Sequence, residues 1–301
     1  MTLLMVQNTP KIKYNYNMNL NEIAQEMRES LENRRKELAL TFVEEKHIYT
    51  MKDINGVKRT GFPSVSKILH KFHEPFDAPK KALEMSGGDT AKARLLTEAW
   101  AKLGKESTNL GSRAHFFLET ELIDRFGNFK TVREPVFKCD NEQIIRCDAM
   151  IGAGKQFIDL MHERGAVLLD TEMVLGDPEE GYVGAPDTAW IIENKQKDGF
   201  GLIVTDWKSN QEKNFKAQFY NGYMFSPFNN FRDFALTHYY IQIPLYGRLL
   251  IKMLENSKFK DTKLLGGIII HLKDNNKFDE YRVPPEITGT ILQMDLKKYL
   301  V

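Results

Sequence analysis

Cysteine is nearly missing from this 301-residue chain: Cys139 and Cys147 are the only two. Strongly polar sequence separates them, which argues against a disulfide scaffold, and two thiols are too few for a four-cysteine zinc or iron–sulfur site. No apolar run approaches membrane-spanning length, and the start, MTLLMVQNTPKIKYNYN, has neither a long apolar core nor an arginine-rich amphipathic pattern. These absences lead us to expect a soluble protein without membrane contact, in a reducing cytoplasm. An excess of one charge is lacking as well, because 42 Lys and Arg face 41 Asp and Glu and leave a net charge of +1. Without a global basic field, any contact with DNA has to use a local patch. Internal repeats, low-complexity tracts and a convincing domain linker are also wanting.

What is present suffices for a sizeable core, since 42% of the residues are apolar. The expected organisation is a polar leader with a helix over residues 1–45, then a single α/β domain over 46–301. That domain divides into a hairpin and helical part (46–165), a sheet with a helix (166–275) and a C-terminal tail (276–301). Residues 20–40 mix helix formers with many charges and predict an exposed N-terminal helix rather than a core element. HIYTM and RTGFPSV flank KDINGVK, a hairpin pattern in which Asn55 and Gly56 supply the turn, and a helix starts within 66–72. MSGGDTAK breaks the next helical stretch. The following TEAWAKLGKESTNLGSRAHFFLETELIDRFG predicts two helices separated near 109–112, the second carrying His115 and Glu119 one turn apart.

From Ala166 the pattern changes to short apolar runs, AVLLDTEMVL, YVGAPDTAWII and GLIVTDWKS, which predict consecutive strands. GYMFSPFNNFRD looks like a loop. THYYIQIPLYGRLLIKMLEN has helical spacing, with Pro244 starting, kinking or interrupting it, and LLGGIIIHL is the last strand before a helical tail.

Folding YVGAPDTAWII against GLIVTDWKS as an antiparallel hairpin centred near Gln196 and Lys197 sets Asp187 opposite Asp206. Directly opposite residues have Cβ atoms about 4.5–5.5 Å apart, a costly place for two carboxylates without a cation. Lys208 shares the face of Asp206, and Trp207 points the other way. Hard oxygen ligands suit Mg²⁺ or Mn²⁺, a bound metal lowers the pKa of a water nucleophile, and a nearby Lys can hold that water or neutralise a phosphate. A bare D-x-K is far more often an exposed ion pair; Asp187 across the strands is what favours the metal reading.

GAPD followed by TDWKS resembles the G-x-x-D and D-x-K strands of RecB-type nucleases of the PD-(D/E)xK superfamily, and QIPLY resembles their Q-x-x-x-Y helix. LGSRAHFFLE is similar to the G-x-x-x-H helix of that family. HIYTM through FPSVSKIL is similar to the leading hairpin and "PSVT-x-IL" segment of phage relatives and of mitochondrial genome maintenance exonucleases. The resemblance spans residues 47–250 in the family's order. It implies a restriction-endonuclease-like core, a central mixed β-sheet flanked by helices, with N-terminal helical and hairpin additions. It further implies that Asp187, Asp206 and His115 ligate Mg²⁺ or Mn²⁺, that the carbonyl of Trp207 adds a ligand, and that Lys208 assists water attack. Glu172 and Glu119 would orient ligands or hold a second cation, while Gln242 and Tyr246 would shape the site and contact the DNA backbone.

Plainer roles exist for several of these: a surface or core histidine for His115, solvent exposure for Glu172, packing for Tyr246. Lys208, Lys213 and Lys216, interleaved with Trp207, Phe215 and Phe219, could line a single-strand channel, or form a solvated helix with a buried aromatic face. The implied function is a metal-dependent exonuclease acting on DNA ends with single-strand preference in replication, recombination or repair, in the host cytoplasm if a phage encodes it. A site- or structure-specific endonuclease and a catalytically silent DNA-binding or scaffold protein are the alternatives. The four-cysteine iron–sulfur cluster of some relatives cannot be built by this chain alone, and no helicase P-loop is present. The enzyme would then stand alone or work with a recombination or replication protein.

Overall fold

The computed structural model describes residues 19–43, 46–127, 135–194, 199–211, 215 and 218–300, with the side chains of 218–221 left aside. Its centre is a five-stranded mixed sheet of β4 (Val167–Thr171), β7 (Thr188–Asn194), β8 (Gly199–Lys208), β11 (Lys263–Leu272) and β12 (Phe278–Arg282), in the order β12-β11-β8-β7-β4. Only the β8–β11 pair is parallel.

Strand β8 shows why the sheet is central. Alternate residues point to opposite faces; Leu202 and Val204 enter one apolar cluster and Trp207 enters the other. The neighbouring strand does the same, with Ala189 and Ile191 on the first face and Trp190 on the second. Buried on both sides, the sheet needs helices on both.

The second face is covered by α4 (Thr90–Phe126) and α5 (Asn141–Glu163). The expected break near 109–112 does not occur: α4 is one continuous helix of 37 residues. A lone glycine in a helix costs about 1 kcal/mol relative to alanine, and the stripe Leu110, Ala114, Leu118 and Leu122, all buried, outweighs it. Gly111 serves close approach instead, since a Cβ there would stand 3.1 Å from Ser209 Oγ at the end of β8. Gly154 lets α5 pack on Leu118 in the same way. Asp140 caps α5 in a reciprocal capping box with Gln143. Cys147 is buried, and both cysteines are free thiols.

The first face is covered by α1 (Leu20–Glu37), α2 (Val65–Leu69), α6 (Ala235–Leu254) and α7 (Pro285–Gln293). Here α1 departs from its expected exposure. Ala24, Met27 and Leu31 are fully buried, and Met27 and Leu31 alone contribute about 3–6 kcal/mol by leaving water. Its charges are partly internal too: Arg28 donates to the carbonyls of Leu168 and Leu169 at 3.1 and 3.3 Å, and Arg35 pairs with Asp170 at 3.0 Å. These contacts cover the edge strand β4, and they make α1 part of the packed body.

Three small antiparallel units surround the sheet. β1 (Thr41–Val43), β2 (Ile48–Lys52) and β3 (Lys58–Thr60) form the expected leading hairpin with one extra strand, and Gly56 takes a φ of +76° in the turn. AVLLDTEMVL divides into β4 and β5 (Leu175–Asp177), and YVGAPDTAWII into β6 (Tyr182–Gly184) and β7, with β5 pairing β6. The segment expected as a loop contributes instead to a hairpin of β9 (Gln218–Tyr223) and β10 (Arg232–Phe234). Helix α3 (Ala78–Met85) precedes the Gly87-Gly88 break. Nor is LLGGIIIHL the last strand, because β12 follows it antiparallel, ahead of α7 and a short 3₁₀ turn at Leu296–Tyr299.

Candidate active site

The β7–β8 hairpin pairs Thr188 with Thr205, so one further step in the same register brings Asp187 to Asp206. On the opposite face the hydroxyls of Thr188 and Thr205 are hydrogen-bonded to each other, and Trp190 Nε1 donates to both at 3.0 and 3.3 Å. The carboxylates therefore sit on a pinned strand end. Asp187 Oδ2 accepts the backbone N–H of Trp207 at 2.6 Å, and its own carbonyl accepts from Glu172 N at 2.9 Å and Thr171 Oγ1 at 2.8 Å.

Glu172 follows β4 in a left-handed conformation with φ +46°. For a residue other than glycine this stores about 1–3 kcal/mol, and it ends the strand at the point where the Glu172 side chain lies with the site. From the other layer, α4 supplies His115. Its Nδ1 stands 3.4 Å from Asp187 Oδ1 and 3.9 Å from Glu172 Oε1, and ligand atoms of the three residues lie within 4.8 Å of one another. His115 Nε2 is 3.1 Å from the carbonyl of Trp207. A carbonyl only accepts, so Nε2 carries a hydrogen here and that carbonyl is engaged by the imidazole.

Asp206 turns to Lys208 rather than into this trio; the two form an ion pair, both largely buried. The Lys208 ammonium also lies 4.6 Å from the centre of the Tyr239 ring, whose hydroxyl donates to Asn210 Oδ1 at 2.9 Å.

The electrostatics show how crowded the negative charge is. Burial lifts the Asp206 carboxyl to a pKa of about 6, with Asp187 adding to the rise and Lys208 opposing it. Burial likewise brings Glu172 to about 7, against the pull of His115 and with a further push from Asp187 and Glu119. Asp187 moves the other way: burial works against its charge, but His115, Lys208 and the Trp207 N–H together lower its pKa. Burial disfavours charge on His115 and Lys208 too, yet their carboxylate neighbours raise both. The Asp187 and Glu172 carboxyls with the His115 imidazole, flanked by Asp206 across the hairpin and by the Trp207 carbonyl beside His115, form a donor set suited to a divalent cation with a preference for oxygen. A cation would answer the same carboxylate charge that raises the pKa of His115.

The remaining predicted residues fall around this centre. Gln242 Nε2 donates to the Tyr246 hydroxyl at 2.9 Å on α6, which runs through Pro244 without interruption, so the two do share a face. Tyr246 is buried, and its pKa is raised by burial and by Asp206 and Asp187. The glycine of GAPD has a physical reason: a Cβ on Gly184 would stand 2.7 Å from the Tyr246 ring and 2.8 Å from Val65. The PSVSKIL segment docks on β6 at the same place, where Val183 N donates to Pro63 O at 3.1 Å. Glu119 is half-buried one turn beyond His115.

Lys213 and Lys216 lie outside the described residues, as does the side chain of Phe219. Two of the aromatics offered as stacking platforms are corrected. Trp207 and Phe215 are 2% and 1% exposed, and Phe215 stacks on His271 at 4.1 Å, so neither presents a face to a base. Tyr239 was not among the expected site residues, although its position three before Gln242 puts it near the same helix face. Tyr49 on β2 was also missed; burial and Glu172 raise its pKa to about 12. No signal within HIYTM marks it.

The sequence matches no model of a known protein family and no curated protein. Among the described residues, no helix is long and apolar enough to cross a membrane.

Proposed function

We propose that this chain is a Mg²⁺- or Mn²⁺-dependent DNA nuclease built on a PD-(D/E)xK core, acting on free ends with a preference for single strands. The observation that carries the reading is the meeting of Asp187, Asp206, Lys208, Glu172 and His115, drawn from α4, the end of β4 and both strands of one hairpin. A structural ion pair needs no such excess of buried carboxyls; burial, with Asp187 adding to it, lifts both Asp206 and Glu172. Asp187, Asp206 and His115 would hold the metal, with Glu172 completing the shell or orienting it, and the Trp207 carbonyl would join once His115 turns from it. The ion supplies electrophilic stabilisation of the phosphate and a water of lowered pKa. Lys208, fixed between Asp206 and the Tyr239 ring, holds the attacking water or neutralises the phosphate oxygen. Gln242 and Tyr246 form the wall behind Asp206, and Glu119 tunes Glu172.

The near-neutral charge favours a narrow contact over a long duplex grip, and the ordered resemblance to end-acting relatives supports the substrate class. The test uses one labelled strand in linear and circular form and a blunt duplex, each with Mg²⁺, Mn²⁺ or EDTA. We expect cleavage of the linear strand first, none in EDTA, and a protected circle. Rapid cutting of the circle would overturn end dependence in favour of an endonuclease. Inertness of every substrate in both metals would favour a silent DNA-binding protein.

A further inference from the structure

Away from the carboxylates, three side chains meet where α2 ends and α6 begins, and a fourth, His70, stands against one of them. His70 caps α2 and His73 lies in the turn beyond it, while Asp233 belongs to β10 and His238 to the first turn of α6. Ligand atoms of His73, Asp233 and His238 lie within 4.8 Å of one another, and His70 Nδ1 is 3.2 Å from His73 Nε2. His73 and Asp233 are 7% and 4% exposed. The nuclease reading uses none of these groups.

Hydrogen positions follow from the acceptors. The Glu74 carbonyl lies 3.0 Å from His73 Nδ1, so that nitrogen carries the hydrogen and Nε2 keeps its lone pair. A distal N–H tied to a backbone carbonyl is the usual way a metal-ligating imidazole is oriented. The Asp233 carboxylate sits 2.5 Å from His238 Nε2. The His73 and His238 rings stack with centroids 4.0 Å apart, an arrangement that disfavours two charged imidazoles. Burial and the adjacent His73 lower the pKa of both His70 and His238, with Asp233 opposing the shift of His238. The 3.2 Å separation of the His70 and His73 nitrogens is close to the ligand–ligand edge of a tetrahedral zinc site, about 3.3 Å for bonds of about 2.0–2.1 Å.

We propose that His70 Nδ1, His73 Nε2, His238 Nε2 and Asp233 Oδ1 bind one zinc ion, which clips the turn after α2 to the start of α6. The ion takes the places now held by hydrogens between His70 and His73 and between His238 and Asp233. His70 and His238 move those hydrogens to their other ring nitrogens, and no net proton is lost. Three nitrogens and one oxygen suit zinc, whereas the carboxylate-rich centre suits Mg²⁺ or Mn²⁺. Gln242 and Tyr246 stand four and eight residues beyond His238, so the clip anchors the helix that backs the nuclease centre.

The experiment loads the full chain with zinc, removes the excess by dialysis and counts bound metal, then repeats the loading with Co²⁺ and records the visible spectrum. One zinc per chain, a raised Tm and the strong bands of tetrahedral cobalt are expected. His238→Ala should abolish retention, and His70→Ala, at an exposed position that leaves folding intact, should weaken it at least about tenfold. Asp187→Asn and Asp206→Asn should retain zinc. The assignment fails if the wild type keeps no zinc, if cobalt gives weak octahedral bands, or if zinc follows Asp187 and Asp206 rather than His70 and His238.

Discussion

Asp206 is a buried acid on the strand that carries the buried Leu202, Val204 and Trp207, and it contributes nothing to either apolar cluster. Asp206→Ala should therefore lower DNA hydrolysis by more than about 100-fold while circular dichroism stays that of a folded protein; full Mg²⁺-dependent turnover in a folded variant would reassign the site. Lys208 contributes differently, being held between Asp206 and the Tyr239 ring. Lys208→Ala is expected to reduce kcat by about 10²–10⁴ with little change in metal affinity. Lys208→Arg should rescue poorly, because a planar guanidinium does not replace a compact ammonium in that slot. Wild-type kcat in both variants would return Lys208 to a structural ion pair.

If the proposed metal binds at this centre, protons compete with it. Glu172 and Asp206 have pKa values near 7 and 6, and His115 is raised well above the ordinary histidine value. Affinity for Mn²⁺ should accordingly be weak below pH 6, where these groups hold protons, and climb as pH rises through 7, with protons released on binding. Calorimetry in buffers of different ionisation enthalpy reads that release, and a proton count of zero at pH 6.5 contradicts it.

At the scale of elements, Gly184 is where β6, α2 and α6 come together. Gly184→Ala should destabilise the fold by about 1–3 kcal/mol through overpacking against Tyr246 and Val65, measured by urea unfolding; an unchanged midpoint would mean that those side chains yield freely. Leu31→Ala in α1 should cost about 2–5 kcal/mol in the same assay, where an exposed helix would lose little.

That second expectation marks a limit of the sequence. Ala24, Met27 and Leu31 form a helical stripe, but Glu and Arg surround it and lower its apparent amphipathicity, and the β4 groups that Arg28 and Arg35 bind lie more than a hundred residues away. The Asp187–Asp206 pairing was legible because a hairpin symmetric about residues 196 and 197 is a local construction. Gly111 misled because its reason for being small is Ser209, a distant neighbour. β12 escaped because FDEYR, an edge strand, carries no apolar run. The positive φ of Glu172 and the convergence of His73 with His238 depend on tertiary contact, and no local pattern announces them.

Across the whole molecule, the candidate centre draws on parts far apart in the chain: His115 meets Trp207 across 92 positions, and His271 pairs with Lys208 across the sheet. The parallel β8–β11 pair bears on the order in which the protein is made. The β7–β8 hairpin can close within microseconds of its synthesis, but β8 remains an open edge until α6 has crossed the first face and β11 has been added. Non-local parallel pairing of this kind is slow, and in the interval the strand bearing Leu202, Val204 and Trp207 is exposed to other chains. A chain halted before residue 263 would thus hold Asp187, Asp206 and Lys208 on a hairpin with one unpaired side, prone to self-association. If the chain is the nuclease proposed above, hydrolytic competence would await the addition of β11, and a ribosome-bound fragment lacking that strand would be harmless to nucleic acid.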